Sequence, residues 1–133
     1  MNFNAIAMVD RDKDSEEAPL DPKAIRIREE LSKLDDGMFW VVAGRTVENY
    51  IPDDVLEAEF KPIDEEFTAP DKFTKVLDNL PRTRKKVRLA IDICKQLTDK
   101  SQIASHLDLA ERLDEVCDLI RKWNDLSPED VAE

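Results

Sequence analysis

A mixed α/β architecture, a parallel strand–helix–strand unit followed by a helical carboxyl-terminal region, is predicted by three observations on the sequence. The run Ala5-Ile6-Ala7-Met8-Val9 is apolar, free of Gly and Pro, and too short for a helix. Such runs read as strands buried on both faces, the pattern of a parallel sheet. A second run, Met38-Phe39-Trp40-Val41-Val42-Ala43, is enriched in β-branched and aromatic residues, which favour strands. Between them, Ile25, Leu31 and Leu34 stand close to helical spacing. Strand, helix and strand in so short a stretch form a βαβ unit, whose crossover is right-handed almost without exception.

Each element has its own signals. Asp21 is an N-cap residue and Pro22 suits a first helical position, so the helix is expected from Pro22 to Leu34, closed by Asp35-Asp36-Gly37. After the second strand comes Gly44-Arg45-Thr46-Val47-Glu48-Asn49-Tyr50-Ile51-Pro52, and then the strand signal disappears. Pro52 to Glu57 reads as a short helix, Lys61 to Ala69 as an acidic connector, and Pro70 to Leu80 as another helix. Arg82 to Leu97 is a firmer helical pattern. Leu107 to Trp123 is the firmest, with Leu109, Leu113, Val116, Ile120 and Trp123 in one apolar stripe. Asn124 to Glu133 is a polar tail expected to fray. The division expected is residues 1–56 for the strand-containing part, 57–125 for the helical region and 126–133 for the tail. Two parallel strands do not make a stable sheet by themselves. Further strands are therefore expected from another polypeptide or from a larger domain of which this is the carboxyl-terminal piece.

Composition narrows the class. With 133 residues, 41% hydrophobic and 38% charged, the chain is one domain at most, globular in composition and with a heavily solvated surface. Its net charge of -11 opposes general affinity for nucleic acid, so any DNA contact must be local, at a basic patch or through a metal. Cys94 and Cys117 lie in separate helical patterns without metal-ligand spacing and are read as reduced core residues. His106 is read as an inert surface histidine, and Trp40 and Trp123 as core. Neither a signal peptide nor a membrane span is visible, so a cytoplasmic location without membrane contact is expected.

Chemistry is expected where the first strand ends, in Asp10-Arg11-Asp12-Lys13-Asp14. Ligands of open α/β sheets bind at the carboxyl ends of strands. Two carboxylates spaced as Asp10 and Asp12 turn toward one point there and repel unless a cation lies between them. Hard oxygen donors favour Mg²⁺ or Mn²⁺. Because paired parallel strands end on the same edge, Glu48 is brought within reach of Asp10 and Asp12 despite its distance in sequence. A calcium loop fits poorly, since Ser15 stands where the turn glycine belongs and Asp21 where a bidentate glutamate belongs. A phosphatase of the dehalogenase type fits poorly because Lys13 follows the second aspartate.

Val9-Asp10-Arg11-Asp12, joined to Arg45-Thr46-Val47-Glu48-Asn49-Tyr50-Ile51, resembles the Toprim nuclease domain of the OLD (overcoming lysogenization defect) family and related ATPase-linked defence nucleases. The resemblance covers residues 5 to about 56 well and the helical remainder more loosely. It implies a partial Toprim-like fold and metal-dependent cleavage of DNA phosphodiesters. Asp10 and Asp12 would be metal ligands, and Glu48 a further acidic member or an anchor beside them. It also implies a downstream lysine that stabilises developing charge. In the run Arg82-Thr83-Arg84-Lys85-Lys86-Val87-Arg88, a helical projection puts Lys86 on the face of Ala90, Ile93, Cys94 and Leu97, whereas Arg84, Lys85 and Arg88 point away. Lys86 is therefore the expected catalytic lysine. The family's opening glutamate strand and the phosphate loop of its ATPase do not occur in this sequence. The isolated chain is accordingly expected to cleave DNA poorly or not at all, an ATPase domain or protein supplying the rest, with homo-oligomers a further possible assembly. The alternative expectation is a non-catalytic remnant or interaction module that docks on a larger ATPase.

Overall fold

The computed structural model describes residues 4–125. Its strands, β1 (Asn4–Val9) and β2 (Asp36–Val41), pair in parallel, with Asn4 opposite Asp36 and Val9 opposite Val41. Helix α1 (Pro22–Leu31) connects them. The helices α2 (Asp53–Phe60), α3 (Lys86–Cys94) and α4 (Leu109–Trp123) follow, with 3₁₀ turns at Val47–Tyr50, Leu77–Asn79 and Lys100–Gln102. The chain is thus a mixed α/β structure, a two-stranded parallel sheet followed by helices. The helix α2 runs across residue 56. The expected tail, residues 126–133, lies outside the described residues.

Two apolar clusters carry the packing. Under β2, Met38, Trp40, Val42 and Tyr50 meet Leu109, Val116 and Leu119, so α4 folds back onto the sheet. The other cluster joins Val55, Leu56 and Phe60 of α2 to Phe67, Val76 and the α3 residues Leu89 and Ile93. Phe60 and Phe67 meet edge to face, with ring centroids 5.6 Å apart, an arrangement their quadrupoles favour.

Several boundaries differ from expectation for identifiable reasons. Helix α1 stops at Leu31 rather than Leu34, and Gly37 belongs to β2 instead of closing the helix. A Cβ at Gly37 would lie 3.0 Å from the Leu31 carbonyl oxygen, so glycine lets the strand pass close under the helix end. Residues Pro70 to Leu80 form turns and one short 3₁₀ segment, not the expected helix. Their carbonyls are engaged elsewhere: Lys72 accepts from the Arg45 N–H, and Asp71 and Thr74 accept from the Asn49 amide. The Asp71 carboxylate also accepts from the Phe73 N–H, a local turn that competes with a helix.

The basic run lies mostly before α3, which starts only at Lys86. Arg84 does not point away from the interior. Its guanidinium stacks 4.6 Å over the Phe60 ring and pairs with Glu59 and Asp92, the latter at 3.2 Å. Planar guanidinium suits that combination of ring and carboxylates. Helix α4 begins at Leu109 because Leu107 has a left-handed φ of 52°, which a right-handed helix excludes. The apolar stripe of α4 divides: Leu109 and Val116 face the β2 cluster, whereas Leu113 and Ile120 remain exposed. Cys94 and Cys117 are free thiols on exposed positions, not core residues. Trp40 is buried as expected, and Trp123 is half-buried. Among the described residues, no helix is long and apolar enough to cross a membrane.

Candidate functional site at the strand ends

Beyond Val9 and Val41 the two segments stay together, and that continuation builds the site. The Val42 N–H donates to the Val9 carbonyl at 3.1 Å, and the Asp12 N–H donates to the Arg45 carbonyl at 2.8 Å. Asp10 lies between these links. Its Oδ1 accepts the Val47 N–H at 2.9 Å, which holds the Glu48 segment against the end of β1. Asp12 has a left-handed φ of 54°, a conformation that Asp tolerates better than most residues. The two strand ends therefore share one acidic rim.

The charges on this rim feel one another. Burial pushes the Asp10 carboxyl above its ordinary range, the Val47 N–H pulls it down, the Asp12 and Glu48 charges raise it, and Lys86 opposes them. Glu48, its side chain nearly buried, sits in the 3₁₀ turn after β2, and its Oε1 lies 3.7 Å from the Lys86 Nζ at the start of α3. The Lys86 ammonium itself is mostly solvated, so the pair is a weak one energetically and a flexible one geometrically. Lys86 lines an apolar groove with Ala90, Ile93, Cys94 and Leu97, the face that the helical projection assigns to it, while Lys85 is exposed just before the helix. Asp10, Asp12, Glu48 and Lys86 are thus neighbours, although 76 positions separate the first from the last.

The donors suit a hard cation, being carboxylate oxygens throughout. One oxygen of Asp10 is already hydrogen-bonded. Among the described residues, no three His, Cys, Asp or Glu side chains are grouped closely enough to hold a metal ion between them. The rim is therefore a partial donor set, with Lys86 as its counter-charge.

Behind the rim lies a polar lock of residues to which the sequence reading assigns no part in the site. The Thr46 N–H donates to Asn49 Oδ1 at 2.8 Å, and the Asn49 Nδ2 donates to the Thr74 carbonyl at 3.0 Å, tying the rim to the turns at 71–74. The Asn49 carbonyl accepts from the Nε2–H of His106 at 2.7 Å, so His106 is half-buried and engaged rather than inert on the surface. The Tyr50 hydroxyl accepts from the Trp40 indole at 2.9 Å and the Ala43 N–H at 3.0 Å, and donates to Asp108 at 2.6 Å. Burial raises the Tyr50 phenol above its ordinary value, and the Asp108 carboxylate holds the proton on it. Gly44 is buried within the lock. A Cβ there would come within 2.5 Å of both the Lys72 carbonyl oxygen and the Asn49 Cβ, so no larger residue fits without displacing backbone.

Consecutive residues of Glu48-Asn49-Tyr50 consequently have divided duties: Glu48 faces the rim, and its two neighbours fasten the rim to the body. The spacing of Thr46 and Asn49 was the available signal, since hydroxyl and amide three apart form a reciprocal cap.

The chain defined by this fold and rim is a mixed α/β protein with a charged edge at its parallel strand ends. No family model matches it, and neither a curated protein nor a solved structure does.

Proposed function

We propose that the chain is the carboxyl-terminal part of an OLD-like Toprim nuclease that hydrolyses DNA phosphodiesters in the cytoplasm with Mg²⁺ or Mn²⁺. Activity then requires completion by the family's glutamate strand and by an ATPase domain or protein. The observation that supports this reading most is the convergence of Asp10, Glu48 and Lys86, from three separate segments, at one strand-end rim. Asp10 and Asp12 would hold the divalent ion with Glu48 beside them. A bound ion of this kind supplies polarisation of the phosphate and a more acidic attacking water.

The chain's own residues have separable roles in this reading. The Val47 N–H keeps one Asp10 oxygen turned toward the Glu48 segment, leaving the other available. Lys86, solvated at the start of α3, offsets carboxylate charge at rest and would stabilise charge developing on a phosphate oxygen. The second reading, a non-catalytic interaction module that docks on a larger ATPase, is favoured by the apolar groove beside Lys86, whose lining includes Val47, Val87, Ala90 and Cys94.

Thermal melting in the presence of metal separates the two. If the carboxylates bind a cation, free ion at about tenfold its dissociation constant stabilises the fold by about 1.4 kcal/mol, so millimolar Mg²⁺ or Mn²⁺ should raise Tm of the wild type and leave Asp10→Ala and Asp12→Ala unmoved. An unchanged Tm in the wild type would overturn the nuclease reading and leave the module.

A further inference from the structure

Helix α4 is apolar on two sides. Leu109, Val116 and Leu119 turn inward to the cluster under β2. A second line, Leu113, Cys117 and Ile120, runs along the solvent side, with Leu113 38% and Ile120 45% exposed and Cys117 exposed between them. Positions 109, 113, 116, 120 and 123 alternate four- and three-residue steps, the repeat of helices that pair. Its own domain covers one half of that repeat; the other half faces outward.

We propose that this outward line pairs two copies of the chain, α4 against α4 in antiparallel orientation about a two-fold axis at Cys117. Charge dictates the direction. Glu111, Asp114, Glu115 and Asp118 outnumber the single Arg112, which Asp108 and Glu115 hold, in the earlier part of α4, whereas Arg121 and Lys122, the latter paired with Asp36, make its last turn basic. Parallel pairing would set acids against acids, whereas antiparallel pairing sets the acidic part of each copy against the basic end of the other. The apolar line has matching symmetry, with Leu113 four residues before Cys117 and Ile120 three after it. A two-fold pair is isologous, so each residue meets its complement twice. Leu113 packs on Ile120 of the second copy, the two Cys117 thiols meet near the axis, and Asp114 faces Arg121.

The flank supports that last contact. At 100° per residue Asp114 and Arg121 fall on the same side of the apolar line, and a two-fold antiparallel pair brings like flanks together. Asp114 is exposed and has no ion-pair partner among the described residues, while Arg121 holds only the exposed Asp118 at 3.0 Å. None of these residues belongs to the acidic rim, so the pairing stands independently of the proposed chemistry.

Sedimentation of the full chain over the micromolar range tests the orientation as well as the surface. The wild type should dimerise. Asp114→Arg alone and Arg121→Asp alone should each weaken the dimer by about tenfold or more, because each sets like charges together twice. Mixing the two single variants should restore association, since both contacts are then between opposite charges. Mild oxidation in a Cys94→Ser background should trap the pair through Cys117, and Cys117→Ser should remain untrapped. A wild type that stays monomeric, a dimer indifferent to both charge changes, or single variants that fail to associate when mixed would overturn the proposal. Each variant should retain the wild-type circular dichroism, Asp114 and Cys117 being exposed and Arg121 bonded only to the exposed Asp118.

Discussion

The α2–α3 core and the strand-end rim are assembled on opposite principles. The first is dry: Phe60, Leu56 and Leu89 are almost completely buried, and the charge of Arg84 at its edge is met by the Phe60 ring and two carboxylates. The second is held by directed hydrogen bonds among Thr46, Asn49, Tyr50, His106 and Asp108, the last as acceptor. Apolar packing has no preferred direction and tolerates moderate change, whereas a buried polar group without its partner bears the full penalty of desolvation. The difference explains why a charged rim can be positioned on so small a sheet: the lock supplies the orientation that two strands alone do not.

Phe60→Ala should have the largest effect, because it empties the centre of the dry cluster and takes the ring from under Arg84. A loss of about 3–5 kcal/mol is expected, read as a lower midpoint in urea denaturation with the rim and helices unfolding together. If the strand-containing part stayed folded when the α2–α3 cluster melted, the two regions would be separate cooperative units.

Tyr50→Phe sharpens the contrast, since it keeps the ring and removes only the hydroxyl. The Trp40 indole and Ala43 N–H lose their acceptor and Asp108 its donor, which should cost about 1–3 kcal/mol. Combined with Asp108→Asn, the loss should be smaller than the sum of the single losses, as expected for contacting groups. Strict additivity would mean that the 2.6 Å bond contributes nothing to stability.

The smallest effect concerns charge on the rim. Because the folded Asp10 carboxyl titrates above its ordinary value, its favourable contribution is complete below the ordinary carboxylate range and is lost as pH rises through the folded value. Asp10→Asn should therefore gain stability relative to wild type as pH rises through that window. If a divalent ion binds there as proposed, it favours the ionised carboxylate and should reverse the sign, its stabilisation growing as pH rises. Matched melts of both proteins from acid to neutral pH, with and without Mg²⁺, give both slopes; parallel curves would show that Asp10 is not coupled to its neighbours.

Much of the frame was legible because local patterns are enough to specify it. Apolar runs ending at Val9 and in Val41-Val42 mark strands, Asp21-Pro22 starts a helix, and parallel pairing then forces Asp10 and Glu48 to the same edge. The helical period also assigns Lys86 to the groove face of α3. It misled where long-range hydrogen bonds compete with local preference. Pro70 to Leu80 forms turns because their carbonyls answer to Arg45 and Asn49. Arg84 turns inward because Phe60 and two acids await it. Cys94 and Cys117 stay exposed because each helix has more apolar faces than this domain covers.

By itself, then, the sequence determined the strand–helix–strand order, the parallel strand pair and the acids at its carboxyl edge, all consequences of periodicity and chain direction. Only the tertiary structure decided the contacts themselves, that Asp10 takes the Val47 N–H and Glu48 lies beside Lys86, and that Asn49, Tyr50, His106 and Asp108 fasten the rim to the body. The physical reason is range. Periodicity reports which face of an element is apolar, whereas a hydrogen bond between positions 49 and 106 exists only when the whole chain has closed around it.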